Sequence, residues 1–290
     1  MKPPEATIHL DHTPETPSAD TGTLPETKEE FRTAIKTLEA GRDLGKIPTD
    51  ELRTLNELYE KLARLVSPEA EPLSATYHRP EKDGTTKPEV ITLDLESSVS
   101  SFTSFYQTHN LDLPPDFKER MEDIWNRNRS AMEQAIAEKG FDTILLVPGG
   151  TSLPDVHKKM TEGYNATYEG VTISSITEDT THDRIILLHS SPELTDHPEL
   201  EKTLNKSAKG FIAQGERLTL TEYLILQRKF FDETGKHLDE TKWTWIPGSK
   251  SDARVVNANW HPGEGLLDVH AVVASVSDPL WGCRLSRCFV

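Results

Sequence analysis

The chain has few cysteines, no long apolar run and no excess of basic residues. Its two cysteines, Cys283 and Cys288, exclude a disulfide framework, and a Cys-x4-Cys spacing alone is a weak signal for zinc. No stretch approaches the roughly 18 apolar residues of a membrane span, and the start MKPPEATIHLDH lacks the apolar core of a secretory signal. The formal charge of -16 argues against nucleic acid as a partner, because phosphate binding needs a basic patch. We therefore expect a cytoplasmic protein that binds neither a membrane nor nucleic acid.

The 290 residues suffice for two domains of ordinary size, although one large domain would also fit. Hydrophobic residues make up 35% of the chain against 28% charged, so we expect part of it to be unstructured. The patterns predict the α+β class. The predicted segments are a disordered tail (1–27), a helical hairpin (28–67), a linker (68–88), an α+β region (89–217) and a binding module (218–290).

The first three segments differ in composition and periodicity. Residues 1–27 are rich in Pro, Thr and acidic residues without any period, which is typical of disorder. Residues 28–67 carry two short apolar stripes at helical spacing, and we interpret these as the core of a helical hairpin in preference to a partner-binding groove. Residues 68–88 contain Glu, Pro, Thr and Gly without apolar spacing, which indicates a linker.

The middle region mixes strand and helix patterns. Short apolar runs predict strands at 90–93, 143–147, 171–173 and 184–188, and apolar residues at helical spacing predict a helix over 114–139 that Gly140 ends. Strands mixed with helices favour an α+β layer over a helical bundle.

The middle region contains no motif for a known chemistry. The turn Pro148-Gly149-Gly150 lacks both the Lys-Ser/Thr pair of a P-loop and the three spaced glycines of a dinucleotide site. No serine elbow occurs, and no zinc-binding spacing joins the histidines His157, His182, His189 and His197. We predict no cofactor. An oxidoreductase or hydrolase with an unrecognised site in this region is the alternative to a binding protein.

The last seventy or so residues have the clearest pattern. Thr219 is a helix cap, an apolar helix follows, and Gly235 closes it. The alternation Trp243-Thr244-Trp245 puts both indoles on one side of a strand. A turn at 247–249, strands at 254–260 and 266–274 with a turn between them, and a last strand after Gly282 complete the expected module.

The order of these residues resembles a known fold family. It comprises Trp243-x-Trp245, then Arg254-Val255-Val256 ending at Trp260, then Gly282-Cys283-Arg284-Leu285-Ser286-Arg287. It is similar to the closing half of the C-type-lectin fold of the formylglycine-generating-enzyme type. It is most similar to variable proteins of diversity-generating retroelements, and it also resembles uncharacterised proteins of candidate-phyla bacteria. The resemblance covers about a quarter of the chain.

The resemblance implies a small twisted antiparallel sheet backed by helices, with a fixed frame and a variable binding face for a protein or other macromolecule. A retroelement would diversify that face. The frame residues are Trp243, Trp245, Gly282 and Arg284. Along 266–274, Asp268, His270 and Val272 lie opposite an apolar face. The predicted ligand-binding residues are Asn257, Asn259, His261, Glu264, Asp268, His270, Val272, Ser275, Val276 and Trp281.

Two other interpretations of this segment are weaker. His261, Glu264, Asp268 and His270 follow no known calcium or zinc spacing, so we expect no metal and interpret them as solvated polar side chains. The enzyme of the resembling family performs a copper-dependent oxidation with a cysteine pair placed before a Gly-Phe-Arg ending. Here Cys283 stands at the Phe position and Cys288 follows it, which argues against that catalysis.

Overall fold

The computed structural model describes residues 71–81 and 83–290, and it begins with a β-hairpin. The predicted tail (1–27) and helical hairpin (28–67) lie outside these residues. Strand β1 (Leu73–Pro80) pairs antiparallel with β2 (Thr86–Leu93), which contains the strand predicted at 90–93. The linker predicted over 68–88 is wrong along most of its length. Although its composition is typical of a linker, side chains in this segment alternate between two faces, and Leu73 and Tyr77 are buried on the same side of β1.

Two helices follow the hairpin, α1 (Leu95–Thr108) and α2 (Phe117–Lys139). Asp94 caps α1 by accepting a hydrogen bond from the Glu96 N–H at 3.0 Å. Gly140 ends α2 with φ 72°, and a Cβ there would lie 2.5 Å from the Tyr77 ring, so no other residue fits. The helix predicted over 114–139 is confirmed. None of the helices in the described part of the chain is long and apolar enough to cross a membrane.

A three-stranded antiparallel sheet packs beside α2. It has the order β11 (Ser286–Phe289), β6 (Arg184–Leu188), β3 (Thr143–Val147), and the strands predicted at 143–147 and 184–188 are confirmed. The strand predicted at 171–173 is wrong, because Ile173–Ser175 forms a 3-10 turn. The Ser175 hydroxyl accepts from the Thr172 N–H at 3.1 Å and donates to the Thr172 carbonyl at 2.8 Å, and these bonds stabilise the turn in place of a strand ladder.

A six-stranded sheet contains most of the C-terminal residues. Its centre is an antiparallel meander of β7 (Trp243–Ser251), β8 (Arg254–His261) and β9 (Leu266–Val273), which confirms the strands predicted at 254–260 and 266–274. Strand β10 (Trp281–Cys283) pairs parallel with β7, and β4 (Asn165–Glu169) pairs parallel with β9. The short β5 (Ile176–Thr177) pairs with β7 near its end.

The turn predicted at 247–249 is wrong. These residues form a bulge inside β7, where the register with β8 shifts between Ile246 and Lys250. The Gly248 N–H bonds out of the sheet to the carbonyl of Leu218 at 2.8 Å, and a Cβ on Gly248 would clash with the carbonyl of Arg217.

Four further helices connect the sheets: α3 (Leu153–Met160), α4 (Pro198–Glu201), α5 (Ala208–Ala213) and α6 (Leu220–Thr234). Helix α6 is the helix predicted from the sequence. Thr219 and Glu222 form a reciprocal capping box at its start, and Gly235 closes it with φ 69°.

The described residues form one compact unit with a shared main core, and they confirm the α+β class. The boundary predicted between 217 and 218 does not separate two modules. Strands β4 and β5 precede it and join the sheet of β7–β9, whereas β11 follows it and joins β3 and β6. Strand pairing across a long sequence separation leaves no local signal, which explains the error.

Two buried histidines make the fold sensitive to acid. The rings of His189 and His197 lie 4.0 Å apart, and the His189 ring lies 5.0 Å from Phe141. Burial lowers the pKa of His189 to about 3 and also lowers the pKa of His197. The folded state therefore favours the neutral imidazole at position 189.

We predict that acid destabilises the protein through His189. An unfolded histidine takes up a proton near its ordinary pKa of about 6.5, whereas folded His189 does so only near 3, so the unfolded state binds more protons between these values. The stability from neutral His189 is complete above pH 6.5 and is lost as the pH falls. Urea unfolding should show a loss of about 2 kcal/mol from this residue between pH 7 and pH 5.

The variant His189→Phe should lose that part of the pH dependence, while His78→Phe, at an exposed position, should retain it. Equal pH dependence in His189→Phe and the wild type would contradict the prediction.

Candidate functional site on the outer face of the six-stranded sheet

The six-stranded sheet has two different faces. Ile246, Val256 and Val269 belong to one face, which packs on the main core. Residues paired in register share a face, and the opposite set forms what we call the outer face. The outer face includes Thr167, Glu169, Trp243, Trp245, Val255, Asn257, Asn259, His261, Asp268, His270, Val272, Trp281 and Cys283.

Helix α5 covers one half of the outer face. Ala208 and Phe211 of α5 pack on Trp245, Val255 and Cys283 in a second apolar cluster, and we call this part the covered half. The Trp245 indole N–H donates to the carbonyl of Lys206 at 3.1 Å, and its ring meets Trp281 edge to face at 5.1 Å. Burial raises the pKa of the Cys283 thiol well above its usual value, so this thiol is a packing group.

The remaining part, the open half, has Asp268 at its centre. Thr167 donates a hydrogen bond to Asp268 Oδ1 at 2.9 Å, and His270 Nε2 lies 3.1 Å from the same atom. His261 Nε2 lies 3.5 Å from Asp268 Oδ2, and Glu169 Oε2 lies 3.2 Å from His270 Nε2. Strands β4, β8 and β9 thus bring two carboxylates and two imidazoles together.

The four charged or titratable side chains of this cluster differ in how much of each is exposed to solvent. The side chains of Asp268 and His270 are 18% and 22% exposed, whereas those of His261 and Glu169 are 40% and 79% exposed. Trp243 is half-buried beside them, with its ring 4.5 Å from the His270 ring and 6.0 Å from the His261 ring. The open half therefore has polar side chains, Asp268 and His270, at its centre and the Trp243 ring at its border, which we call the wall.

Two asparagines of β8 lie on the same face, across the strand ladder from this cluster. Asn257 pairs in register with His270, and Asn259 pairs with Asp268. Asn257 is 0% exposed and neither polar atom of its amide has a partner among the described residues; Asn259 is 4% exposed and its Oδ1 has none there either. An unpaired buried amide costs about 1–3 kcal/mol, so these groups retain hydrogen-bonding capacity at an energetic cost.

The structure brings most of the predicted ligand-binding residues onto the outer face. They are Asn257, Asn259, His261, Asp268, His270, Val272 and Trp281, of which Val272 and Trp281 adjoin the covered half. Glu264 lies outside the face, in the exposed turn between β8 and β9. Ser275 and Val276 follow β9 at its other end, and Val276 donates its N–H to Val273.

Two residues of the open half were missed by sequence reasoning. Thr167 and Glu169 lie in β4, about a hundred residues before their partners Asp268 and His270. The alternation of residues 165–169 between two faces is visible in the sequence, but its parallel partner is not.

The predicted frame residues occupy tightly packed positions. A Cβ on Gly282 would lie 2.7 Å from the Leu194 side chain and 2.8 Å from Thr203 Oγ1. The Arg284 side chain is 1% exposed, and it donates two hydrogen bonds of 2.9 Å to the two carboxylate oxygens of Asp239. Trp243, assigned to the frame as well, lies instead in the wall of the open half.

Arg284 and Asp239 connect several segments. Arg284 also donates to the carbonyls of Ser191 and Pro192 at 2.7 and 2.6 Å. Asp239 accepts from the Tyr223 hydroxyl at 3.2 Å, and its carbonyl accepts from the Trp260 N–H at 3.0 Å. Burial raises the pKa of the Asp239 carboxyl, and the guanidinium of Arg284 opposes this shift.

Of the four histidines of the middle region, His182 lines a cavity with carboxylates: it shares a cavity of about 450 Å³ with Asp179 and Glu216. A cavity of about 350 Å³ beside the Pro148-Gly149-Gly150 turn is lined by Asp112, Asp155 and Lys159 but by none of the four histidines considered above. Within residues 71–81 and 83–290, no group of three or more His, Cys, Asp or Glu side chains is arranged to hold a metal ion.

Comparison of the chain with protein-family models, with curated proteins and with solved structures gives no match. The resemblance to C-type-lectin-fold proteins therefore stays a prediction, and any function has to be argued from the geometry of the outer face.

We predict that Arg284→Ala lowers the free energy of unfolding by about 3–5 kcal/mol, because it leaves the buried Asp239 carboxylate without its cation. The double variant Arg284→Ala/Asp239→Ala should lose less than the sum of the single losses. Denaturant titration measures both.

Arg287→Ala is the matched control, since Arg287 lies in the same segment and is exposed, and it should change stability by less than about 0.5 kcal/mol. A similarly small effect for Arg284→Ala would contradict the prediction. Arg284→Lys supplies the measurement if the alanine variant does not fold.

Proposed function

We propose that this chain is a binding protein that recognises a protein or other macromolecule with the open half of the outer face. The observation that carries the proposal is the grouping of Asp268, His270 and His261 beside Trp243, with the unpaired amide of Asn257 across the ladder from His270. Buried polar groups without partners are costly, and recognition of a ligand is one reason for a fold to keep them.

The placement of these side chains on strands supports recognition. Four strands contribute to the open half, and their ladders fix the backbone of each contributing residue. Side chains held on a rigid sheet lose little conformational freedom when a partner binds, which favours affinity. Aromatic residues add large contact areas at a low entropic cost.

The finer assignment is a C-type-lectin-like module of the kind found in variable proteins of diversity-generating retroelements. It is supported by the order of Trp243-x-Trp245, Arg254-Val255-Val256 and the Gly282-Cys283-Arg284 ending along the chain. In this proposal the residues that β8 and β9 contribute to the open half vary, while the covered half and Arg284 stay fixed. The cytoplasmic location expected from the sequence belongs to the same proposal.

The binding function can be tested with a random dodecapeptide phage library selected on the immobilised protein. We expect enriched peptides whose affinity falls at least about ten-fold in Asp268→Ala and Trp243→Ala, because these variants remove the centre and the wall of the open half. Affinity is measured by surface plasmon resonance.

Glu119→Ala is the control, since Glu119 is an exposed carboxylate on α2. The proposal fails if no peptide is enriched, or if the enriched peptides bind the Asp268 and Trp243 variants as well as they bind the wild type.

Diversification predicts a specific genomic arrangement. A reverse transcriptase gene and a near-copy of the DNA that encodes Arg254 to Arg287 should lie near the gene of this protein. Sequencing of that neighbourhood decides the point: absence of both features would remove the retroelement from the proposal and leave the binding function to the peptide selection.

A further inference from the structure

The fixed charge of the open half is negative. Asp268 and Glu169 are the two carboxylates, and their basic neighbours within 4.0 Å among the described residues are the imidazoles of His261 and His270. Among the described residues no lysine or arginine lies within ion-pair distance of either carboxylate. An imidazole is not a permanent cation, so neither carboxylate has a fixed positive charge within ion-pair distance among the described residues.

Several hydrogen-bond acceptors lie together in this region. The oxygens of Asp268 and Glu169 are acceptors, and Asn259 adds an Oδ1 atom that is buried and has no partner among the described residues. Asn259 lies directly across the strand ladder from Asp268, on the same face. A ligand that fits must therefore bring several N–H or O–H donors, and a ligand that carries anionic oxygens would meet repulsion.

The aromatic wall selects further among donor-rich ligands. The Trp243 ring borders the cluster, 4.5 Å from the His270 ring, and is half-buried. The face of an indole attracts cations through its quadrupole, and it also packs on the methylene stem of a long side chain. A basic side chain has a positive charge for the carboxylates, N–H donors for the acceptor atoms and an aliphatic stem that can pack on Trp243.

From these contacts we infer that the open half binds a basic side chain, lysine or arginine, of the partner. The nitrogen donors face Asp268, Glu169 and the Oδ1 atom of Asn259, and the aliphatic stem lies along Trp243. This inference rests on the proposed binding function and specifies the ligand chemistry at its centre.

A direct test uses nuclear magnetic resonance with small probes. Nα-acetyl-lysine methylamide and Nα-acetyl-arginine methylamide should shift the indole N–H resonance of Trp243 in a saturable way. The neutral analogue Nα-acetyl-norleucine methylamide, which has the stem without the charge, should bind at least about ten-fold more weakly. Methyl glucoside and methyl mannoside test whether hydroxyl donors on a neutral ligand suffice.

Isosteric variants separate charge from shape. Asp268→Asn keeps an oxygen that can accept from Thr167, so the strand pairing should survive while the charge is lost. This variant should weaken the binding of the cationic probes about ten-fold, and Glu169→Gln, at a more exposed position, about two- to five-fold. Both variants should leave the norleucine analogue unaffected. Glu119→Gln on α2 should change nothing.

The outcomes distinguish the two proposals. If the peptide library gives binders that depend on Asp268 and Trp243 but contain no lysine or arginine, the inference about basic side chains is overturned and the binding function stands. Stronger binding of a glycoside than of either cationic probe, or unchanged affinity in Asp268→Asn, overturns it as well. If no library peptide is enriched, the binding function itself fails.

Discussion

The fold depends on the fully buried ion pair between Arg284 and Asp239. Arg284 stands between β10, an edge strand of the large sheet, and β11, a strand of the small sheet, so its position fixes how one sheet follows the other. Arg284 also donates hydrogen bonds to the carbonyls of residues 191 and 192, and Asp239 accepts one from the Tyr223 hydroxyl of α6. Because the charges are buried, loss of either partner leaves the other unpaired in a medium of low polarity.

The outer face carries structural and recognition residues on the same strands. On β7, Trp245 is buried against α5, whereas Trp243, two residues earlier, borders the open half. On β8, Val255 belongs to the covered half and Asn259 to the open half. Packing thus anchors one end of each strand while the other end meets solvent, which gives polar side chains a rigid support without burying all of them.

Local patterns made part of this fold predictable. Helix α6 could be located from Thr219 and Gly235, and the alternation of Asp268 and His270 with apolar neighbours placed them on one face. The missed features depend on distant pairing or on exceptions to local rules. Strand β1 lies in a segment with the composition of a linker, and Glu169 reaches His270 only through a parallel pairing between β4 and β9. Such pairings depend on tertiary packing, which short windows of sequence do not contain.

The interleaved strand order has a consequence for biosynthesis. Strand β6 has β3 on one edge, but its other edge gains a neighbour only when residues 286–289 have left the ribosome. Until then the nascent chain carries an apolar strand with unsatisfied backbone groups, a surface that chaperones and other unfinished chains can engage. The time for which this edge of β6 stays unpaired is therefore set by the translation of the chain between β6 and β11.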